Sequence, residues 1–238
     1  MLKKGQTKAC CPMRARSLSV IRVRTRPGFR TRGLLLAGPR AISVVLGRGG
    51  VRANKFEGDG GTPRGRFRLI RLWWRADRHP RAATLLPMRR ISADLAWCED
   101  PLDPRYNRPF GRPAGAAGDR LWRTDRLYDF VIELDHNTRP RVARRGSAVF
   151  LHVARPDRSP TAGCVALTAA DLRRLLARLG PETRIAIETP PVRAATHAGR
   201  KSPSRRARAW RPILWRWENR RSFPWIEEKD RCAAQSLR

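Results

Sequence analysis

Alternating apolar and polar side chains predict several β-strands in the first half of the chain. The alternation runs through residues 18–24 (SLSVIRV) and 65–73 (GRFRLIRLW), and a period of two is typical of a half-buried strand. Two short apolar runs, 34–36 and 42–46, flank a Gly-Pro-Arg turn at 38–40. We therefore predict a hairpin there, preceded by a turn over residues 28–33.

The second half of the chain carries three further strand patterns and then changes its period. Apolar runs at 130–134, 148–153 and 184–188 predict strands. After residue 167, leucines recur at helical spacing, and the helix is predicted to begin after Thr168, with Asp171 completing an approximate capping box, and to stop at Gly180-Pro181. The pattern as a whole predicts a mainly β domain with one amphipathic helix.

Residues 76–126 break this regularity. They are rich in Arg, Pro, Asp and Gly, with dispersed tryptophans and a tyrosine. A long loop-rich insertion in a compact domain is usually functional or mobile. Its aromatic side chains either wall a substrate groove or pin the loops to the core, and pinning is the commoner use of tryptophan.

Composition divides the chain into three parts. Residues 1–17 form a basic N-terminal extension, 18–190 carry the periodic patterns of one domain, and 191–238 form an Arg/Trp-rich tail. Prolines interrupt the tail and it lacks apolar periodicity, so it is expected to be disordered.

The net charge of +32 invites a nucleic-acid interpretation, but its distribution argues against a specific one. Of the 52 basic residues, 46 are Arg and 6 are Lys, and they are spread along the whole chain. Because no single basic stripe results, we expect no specific nucleic-acid partner, only non-specific attraction to anionic surfaces.

Five irregularly placed cysteines match neither a disulfide framework nor a zinc site. We therefore expect no metal and no cofactor. No window approaches about 20 apolar residues, the length of a membrane-spanning helix. The basic N-terminus has no apolar stretch behind it, so no signal peptide is recognisable.

Residues 147–167 (SAVFLHVARPDRSPTAGCVAL) contain the most informative chemistry. His152 ends an apolar run, and Cys164 follows a glycine after a loop that contains two prolines. A histidine leaving a strand and a cysteine opening the next element can meet, as an imidazole must to take a proton from a thiol. We expect His152 to hold Cys164 partly as thiolate.

This segment resembles the active-site signature of the L,D-transpeptidases, the YkuD-type cysteine enzymes that act on peptidoglycan. In that family an upstream His precedes a Ser/Thr-His-Gly-Cys element, and here His152 precedes residues 161–164 (TAGC). Residues 59–67 (DGGTPRGRF) are similar to the family's D-G-x-T-P-x-G-x-F segment. Two motifs in the expected order are much stronger evidence than one. The resemblance spans roughly residues 20 to 190.

The resemblance implies a fold, a reaction and residue roles. The fold is a β-sandwich-like catalytic domain with the helix after the catalytic cysteine. Cys164 would be the nucleophile and His152 the base, with an oxyanion hole built from backbone N–H groups of Ala162, Gly163 and Cys164. The partner would be a peptidoglycan stem peptide, cleaved between its third, diamino-acid residue and a terminal D-alanine. The resulting acyl-thioester then passes to an amine or to water.

The chain departs from the family pattern at two positions. Ala162 replaces the usual histidine before Gly-Cys, and Ala166 replaces the usual arginine. Arg155 is a candidate to supply the missing guanidinium for a stem carboxylate, and Thr161 is a second candidate for substrate binding. His136 is a rival base, ranked below His152 because residues 135–138 (DHNT) read well as plain turn chemistry.

Three functions remain open at this point. The first is an L,D-transpeptidase, and the second is a hydrolase of the same fold in which water resolves the acyl-enzyme. The third is an inactive basic wall- or nucleic-acid-binding protein, suggested by the two alanines and the tail. The resemblance implies the cell envelope or periplasm, whereas the lack of a recognisable signal leaves the cytoplasm open.

Overall fold

The computed structural model of the chain describes residues 17–111 and 118–189. The chain divides into two units, Met1–Val192 and Arg193–Arg238, and everything described belongs to the first. The predicted N-terminal extension, except Ser17, and the predicted tail lie outside the described residues.

The described residues form fourteen strands and one helix. The helix, α1, spans Ala169–Leu176. The strands β1 to β14 are, in chain order, Val20–Arg26, Phe29–Ala37, Arg40–Val45, Val51–Arg52, Thr62–Pro63, Gly65–Trp74, Met88–Arg90, Leu95–Trp97, Pro109–Gly111, Asp119–Arg120, Phe130–Leu134, Phe150–Val153, Val165–Leu167 and Arg184–Glu188. Within this part of the chain, no helix is long and apolar enough to cross a membrane.

One large sheet organises the domain. Its strand order is β11-β12-β13-β3-β2-β1-β14-β6-β7, and β6 also pairs with β11. Because β6 pairs with β14 through its first half and with β11 through its second, the sheet curls round and closes on itself. The mainly β prediction is confirmed, with its single helix following Cys164.

The sheet buries apolar side chains on both faces. The larger core contains Leu151 and Val153 of β12, Val165 of β13 and the leucines of α1. The opposite face carries a smaller cluster, which we call the thiol-face cluster. Its buried members are Trp73, Ile91, Trp97, Leu121, Val131, Ala148, Phe150 and Cys164. Successive strand residues point to opposite faces, so β6, β11 and β12 each contribute to both clusters.

The loop-rich insertion covers the thiol-face cluster. It contains a small three-stranded sheet of order β10-β8-β9. Trp97 of β8 is buried and meets the Phe150 ring edge-on, with the ring centroids 5.0 Å apart. The guanidinium of Arg75 lies 3.5 Å from the centre of the Trp122 ring. These tryptophans therefore pin the insertion to the sheet, which was the favoured of the two interpretations.

Most predicted element positions agree with the structure, and one turn does not. Helix α1 is capped as predicted, because the Thr168 hydroxyl accepts the N–H of Asp171 at 3.1 Å. The turn predicted over residues 28–33 is wrong: Gly28 reverses the chain with a φ of 79°, and β2 already begins at Phe29. A glycine with positive φ makes so tight a reversal that the following residues can pair at once.

Three glycine-containing loops nest against one another beside Cys164. Residues 47–50, 59–63 and 161–164 approach so closely that a Cβ on Gly47 would lie 2.1 Å from the Gly60 carbonyl oxygen and 3.0 Å from the Cα of Gly163. The loops are also joined by hydrogen bonds, among them Gly49 N–H to the Gly60 carbonyl at 2.9 Å and Arg48 N–H to the Thr161 carbonyl at 2.9 Å. The two sequence motifs therefore meet in space.

Replacing Gly47 with alanine is expected to destabilise the domain by about 2–4 kcal/mol, because the added methyl group collides with backbone that cannot swing away. Thermal unfolding followed by circular dichroism measures the loss. Gly111→Ala is the matched control, since its nearest neighbour is the flexible carboxylate of Asp94 at 3.3 Å. Equal melting temperatures for the two variants would contradict the close nesting of the loops.

Candidate active site

Adjacent parallel strands bring the predicted base and nucleophile to one face of the sheet. In the β12–β13 pairing, His152 lies opposite Ala166, and Leu151 lies opposite Val165. Cys164 precedes β13 directly, so it shares the face of Ala166 and His152. Both functional side chains are nearly buried, with 7 % of Cys164 and 6 % of His152 exposed.

The thiol of Cys164 is held by backbone groups. Its Sγ–H donates to the Ala148 carbonyl at 3.2 Å, and the sulfur accepts the Phe150 N–H at 3.4 Å. Burial raises the pKa of the Cys164 thiol to about 12, and the charges of Asp119 and Glu99 act in the same direction. The Phe150 N–H and the Lys55 charge oppose the rise without reversing it.

The imidazole of His152 is held in one tautomer. Its Nδ1 lies 2.8 Å from the carbonyl oxygen of Val153, which can only accept, so Nδ1 carries the proton. Nε2 is then unprotonated and free to accept one. Burial lowers the pKa of His152 to about 4, and the edge of the Tyr128 ring packs against the imidazole at a centroid distance of 5.3 Å.

These two environments make a neutral pair. A thiol with a pKa of about 12 has a thiolate fraction of about one in 10⁵ at pH 7. Among the described residues, no hydrogen bond links the His152 ring to the sulfur, whose proton faces Ala148. The contacts therefore favour a neutral pair over a partly ionised Cys164, because both groups are desolvated and neither stabilises the other's charge.

The loop that precedes Cys164 is fixed by two threonines. The Thr161 hydroxyl donates to the Cys164 carbonyl at 2.7 Å, and the Thr62 hydroxyl reaches the same oxygen at 3.3 Å. Thr161 also accepts the Gly163 N–H at 3.2 Å, so this predicted substrate contact is occupied by its own loop. The N–H groups of Ala162 and Cys164 donate to no acceptor among the described residues.

The left-handed backbone of Gly163 explains the glycine at this position. Its φ is 145°, and a Cβ there would lie 2.9 Å from the Gly61 carbonyl oxygen. A side chain would therefore meet both conformational strain and a collision. Glycine lets the chain turn so that the two free N–H groups, on Ala162 and Cys164, stand on either side of it.

Asn107 fixes the position of Ala148, the residue that holds the thiol. Its buried side chain makes four hydrogen bonds: Oδ1 accepts from Trp97 and from the Ala148 N–H, and Nδ2 donates to the carbonyls of His136 and Asn137. Asn107 and Ala148 both have positive φ, at 54° and 50°. Such strain in a residue other than glycine persists only where the surroundings over-determine it.

Lys55 is a site residue that our sequence analysis missed. Its side chain is buried, its Nζ donates to Asp59 at 2.6 Å and to the Phe56 carbonyl at 2.8 Å, and its stem lies against Gly146 and Gly163. A signal was present in the sequence, because Lys55 is the only lysine between residues 9 and 200 of an arginine-rich chain. Arginine would present a wider, forked head group here.

Acidic groups also surround the thiol. Partial desolvation raises the pKa of Glu99 to about 7, although much of this residue is exposed, and the charges of Asp119 and Glu57 add to the rise. The Tyr128 hydroxyl donates to Asp119 at 2.7 Å. The sequence did not predict that these carboxylates lie near the thiol. Glu99 and Asp119 belong to the loop-rich insertion, and Glu57 lies in another loop, so no periodic pattern marks them.

The remaining predicted residues lie farther from this arrangement. His136 donates from Nε2 to the Arg145 carbonyl at 3.0 Å, and burial lowers its pKa. Arg155 is exposed beyond the end of β12, on the wall of a separate cavity. In the described parts of the chain, no group of three or more His, Cys, Asp or Glu side chains is arranged to hold a metal ion.

Replacing Asn107 with alanine is expected to cost about 3 kcal/mol of stability, because two buried donors and two carbonyls lose their partners. Chemical denaturation of the purified variant measures this loss. Asn54→Ala, an exposed asparagine on a neighbouring loop, serves as the control and should unfold like the parent protein. A stability loss below about 1 kcal/mol for Asn107→Ala would show that Ala148 is fixed by other contacts.

Alkylation of Cys164 by iodoacetamide should rise about tenfold per pH unit from pH 7 to 9, because the thiolate fraction is still far from saturation. At pH 9, Lys55→Met should slow the reaction about two- to fivefold, and Glu99→Gln should accelerate it to a similar degree. Glu99 is ionised at that pH, so the second change removes a negative charge. Peptide mapping by mass spectrometry isolates the Cys164 rate from the other cysteines.

Two results would contradict this account of the thiol. One is a Cys164 rate that is already level between pH 7 and 9, which would mean an ionised thiol. The other is a change in the same direction for both variants, which would mean that access rather than charge controls the reaction. Near- and far-ultraviolet circular dichroism of each variant checks that the fold is kept.

Comparison with known proteins identifies the family of the domain. The family model for the YkuD L,D-transpeptidase catalytic domain matches residues 24–187, which include both motifs, His152 and Cys164. No curated protein and no solved structure matches the chain significantly. The match covers well over half of the chain, and this chain therefore belongs to the YkuD family of L,D-transpeptidase catalytic domains, cysteine-dependent enzymes that act on peptidoglycan peptides.

Proposed function

We propose that this protein is a cysteine-dependent L,D-transpeptidase that forms an acyl-thioester between Cys164 and a peptidoglycan stem peptide, and then transfers the acyl group to an amine. The observation that carries the proposal is the common face of His152, on β12, and Cys164, directly before the paired parallel strand β13. The free Nε2 of His152 supports its role as the base. The cell envelope is the compartment where such a substrate is found.

The neutral pair implies a mechanism in which ionisation accompanies attack. On substrate binding, Sγ turns from the Ala148 carbonyl towards the carbonyl carbon of the stem's third residue. The C–S bond forms as the thiol proton passes to Nε2 of His152, giving an imidazolium and a tetrahedral oxyanion. The peptide N–H groups of Ala162 and Cys164, which have no described acceptor, are suited to bind that oxyanion.

Collapse of the tetrahedral species completes the first half of the reaction. The imidazolium returns its proton to the nitrogen of the departing D-alanine as the C–N bond breaks, leaving the thioester. An acceptor amine then attacks the thioester carbonyl, gives its proton to His152, and releases the Cys164 thiol as the proton returns to sulfur. Water in place of the amine gives hydrolysis, so only the acceptor separates the two reactions.

The two departures from the family pattern are compatible with this chemistry. At position 162, the proposed oxyanion hole uses the backbone N–H, and this group is present whether the side chain is histidine or alanine. Ala166 is buried in β13 opposite His152, where alanine adds no charge beside the imidazole. Arg155 as a contact for a stem carboxylate remains part of the proposal and is tested by its own variant.

The decisive experiment incubates the purified full-length protein with disaccharide tetrapeptide and follows D-alanine release by mass spectrometry, with and without an added amine acceptor. Cys164→Ala should abolish release, and His152→Ala should reduce it at least about 100-fold. His136→Ala, the matched histidine control, should change it less than about threefold. A cross-linked product supports transpeptidation, whereas tripeptide alone supports hydrolysis. Arg155→Gln should raise KM with little change in kcat if it binds a stem carboxylate.

A second readout separates an inactive protein from one given the wrong substrate. A carbapenem is a strained acyl donor, so a competent thiol beside an oxyanion hole should form one covalent adduct on Cys164, visible by intact-protein mass. Release of no D-alanine together with no adduct from several carbapenems would overturn the enzyme proposal. It would favour the inactive, basic wall-binding alternative.

A further inference from the structure

A cavity opens at the end of β12, on the other side of the sheet from the thiol. It has a volume of about 500 Å³. Its apolar floor includes Phe130 and Val153, which belong to the main core, whereas Cys164 belongs to the thiol-face cluster. Of the residues that line it, only Arg155 enters the proposed reaction.

Four guanidinium groups line this cavity without a carboxylate partner. Arg126, Arg155, Arg158 and Arg173 all lie on its wall. All four are exposed, and none forms an ion pair with a described residue. Arg173 extends over the Phe130 ring, with its guanidinium carbon 6.0 Å from the ring centre. The four groups come from three segments that converge on one space.

The two carboxylates on the same wall are already bound by other cations. Asp129 accepts Arg78 at 2.8 Å and His79 at 2.7 Å. Asp125 accepts both nitrogens of the Arg123 fork, the closer at 2.6 Å. Neither aspartate therefore forms an ion pair with the four arginines, and positive charge predominates on the wall of the cavity.

The backbone holds two of these arginines in a costly conformation. Arg126 has a φ of 63° and Arg158 a φ of 54°, the left-handed region that long side chains rarely adopt. The surrounding structure must hold a strained residue in place, and residues of this kind are found mainly at active sites and ligand sites. The N-terminal end of α1, at Thr168 and Ala169, closes the same cavity, and its free N–H groups add partial positive charge.

We propose that this cavity binds an oxyanion ligand that carries at least two negative charges, held by the guanidinium groups of Arg155, Arg158, Arg126 and Arg173. Planar guanidinium forks match both carboxylate and phosphate oxygens. The apolar floor accommodates the carbon skeleton between the charged groups. The site lies on the opposite face from Cys164, and Arg155 is the one residue that it shares with the proposed reaction.

Isothermal titration calorimetry at 150 mM NaCl tests the site with two probes of similar charge, pyrophosphate and tricarballylate. We expect saturable binding of at least one probe to the full-length protein, with a stoichiometry near one. The Arg155→Gln/Arg158→Gln double variant should weaken binding at least about tenfold. Preference between the probes distinguishes a phosphate from a carboxylate source, and either preference supports the site.

A charge-matched control is essential in a chain with a net charge of +32. The Arg40→Gln/Arg89→Gln variant removes two exposed arginines away from the cavity and should bind like the parent protein. Equal weakening in both double variants, or no saturable binding of either probe up to about 5 mM, would overturn the proposal. The Cys164→Ala variant should bind the probes like the parent protein. A failure of the proposed enzyme activity is thereby distinguished from a failure of the proposed anion site.

Discussion

The geometry of the site depends on the hydrogen bonds that the carbonyl oxygen of Cys164 accepts. It accepts the hydroxyl of Thr161 from its own loop and the hydroxyl of Thr62 from the other motif, and Thr62 in turn accepts the Gly47 N–H at 2.8 Å. Three loops are thereby tied to one peptide group, and they pack without side chains between them. A buried carbonyl with two donors resists rotation, so the peptide N–H groups before it keep a fixed direction.

Burial controls the chemistry of the site more strongly than charge does. Desolvation keeps the Cys164 thiol protonated and the His152 imidazole neutral, while Lys55 on one side and Glu99 on the other shift the balance only secondarily. A neutral pair costs little to bury, whereas a thiolate-imidazolium pair in the same space would need close mutual contact. In the proposed mechanism, charge therefore develops only when a substrate is present to share it.

The closed sheet separates two environments. One face, beneath the insertion, holds His152 and Cys164 among aromatic side chains, while the cavity with four unpaired arginines opens on the face of the main core. β12 serves both, because alternate residues of a strand point to opposite sides. His152 belongs to the first environment, and the adjacent Val153 forms part of the second.

The sequence determined the strands with clear alternation, the capped helix and the two motifs, because these depend on local periodicity and on turn chemistry. It also determined His152 and Cys164 as the candidate pair, through the resemblance. It did not reveal β13, three buried residues whose pairing comes from β12 and β3, nor the roles of Lys55 and Asn107. Those follow from contacts between separate segments of the chain, such as that of Asn107 with Ala148, 41 residues away. Only the tertiary structure decided how far Cys164 and His152 are desolvated, because desolvation is a property of everything packed around a group and not of its neighbours in the chain.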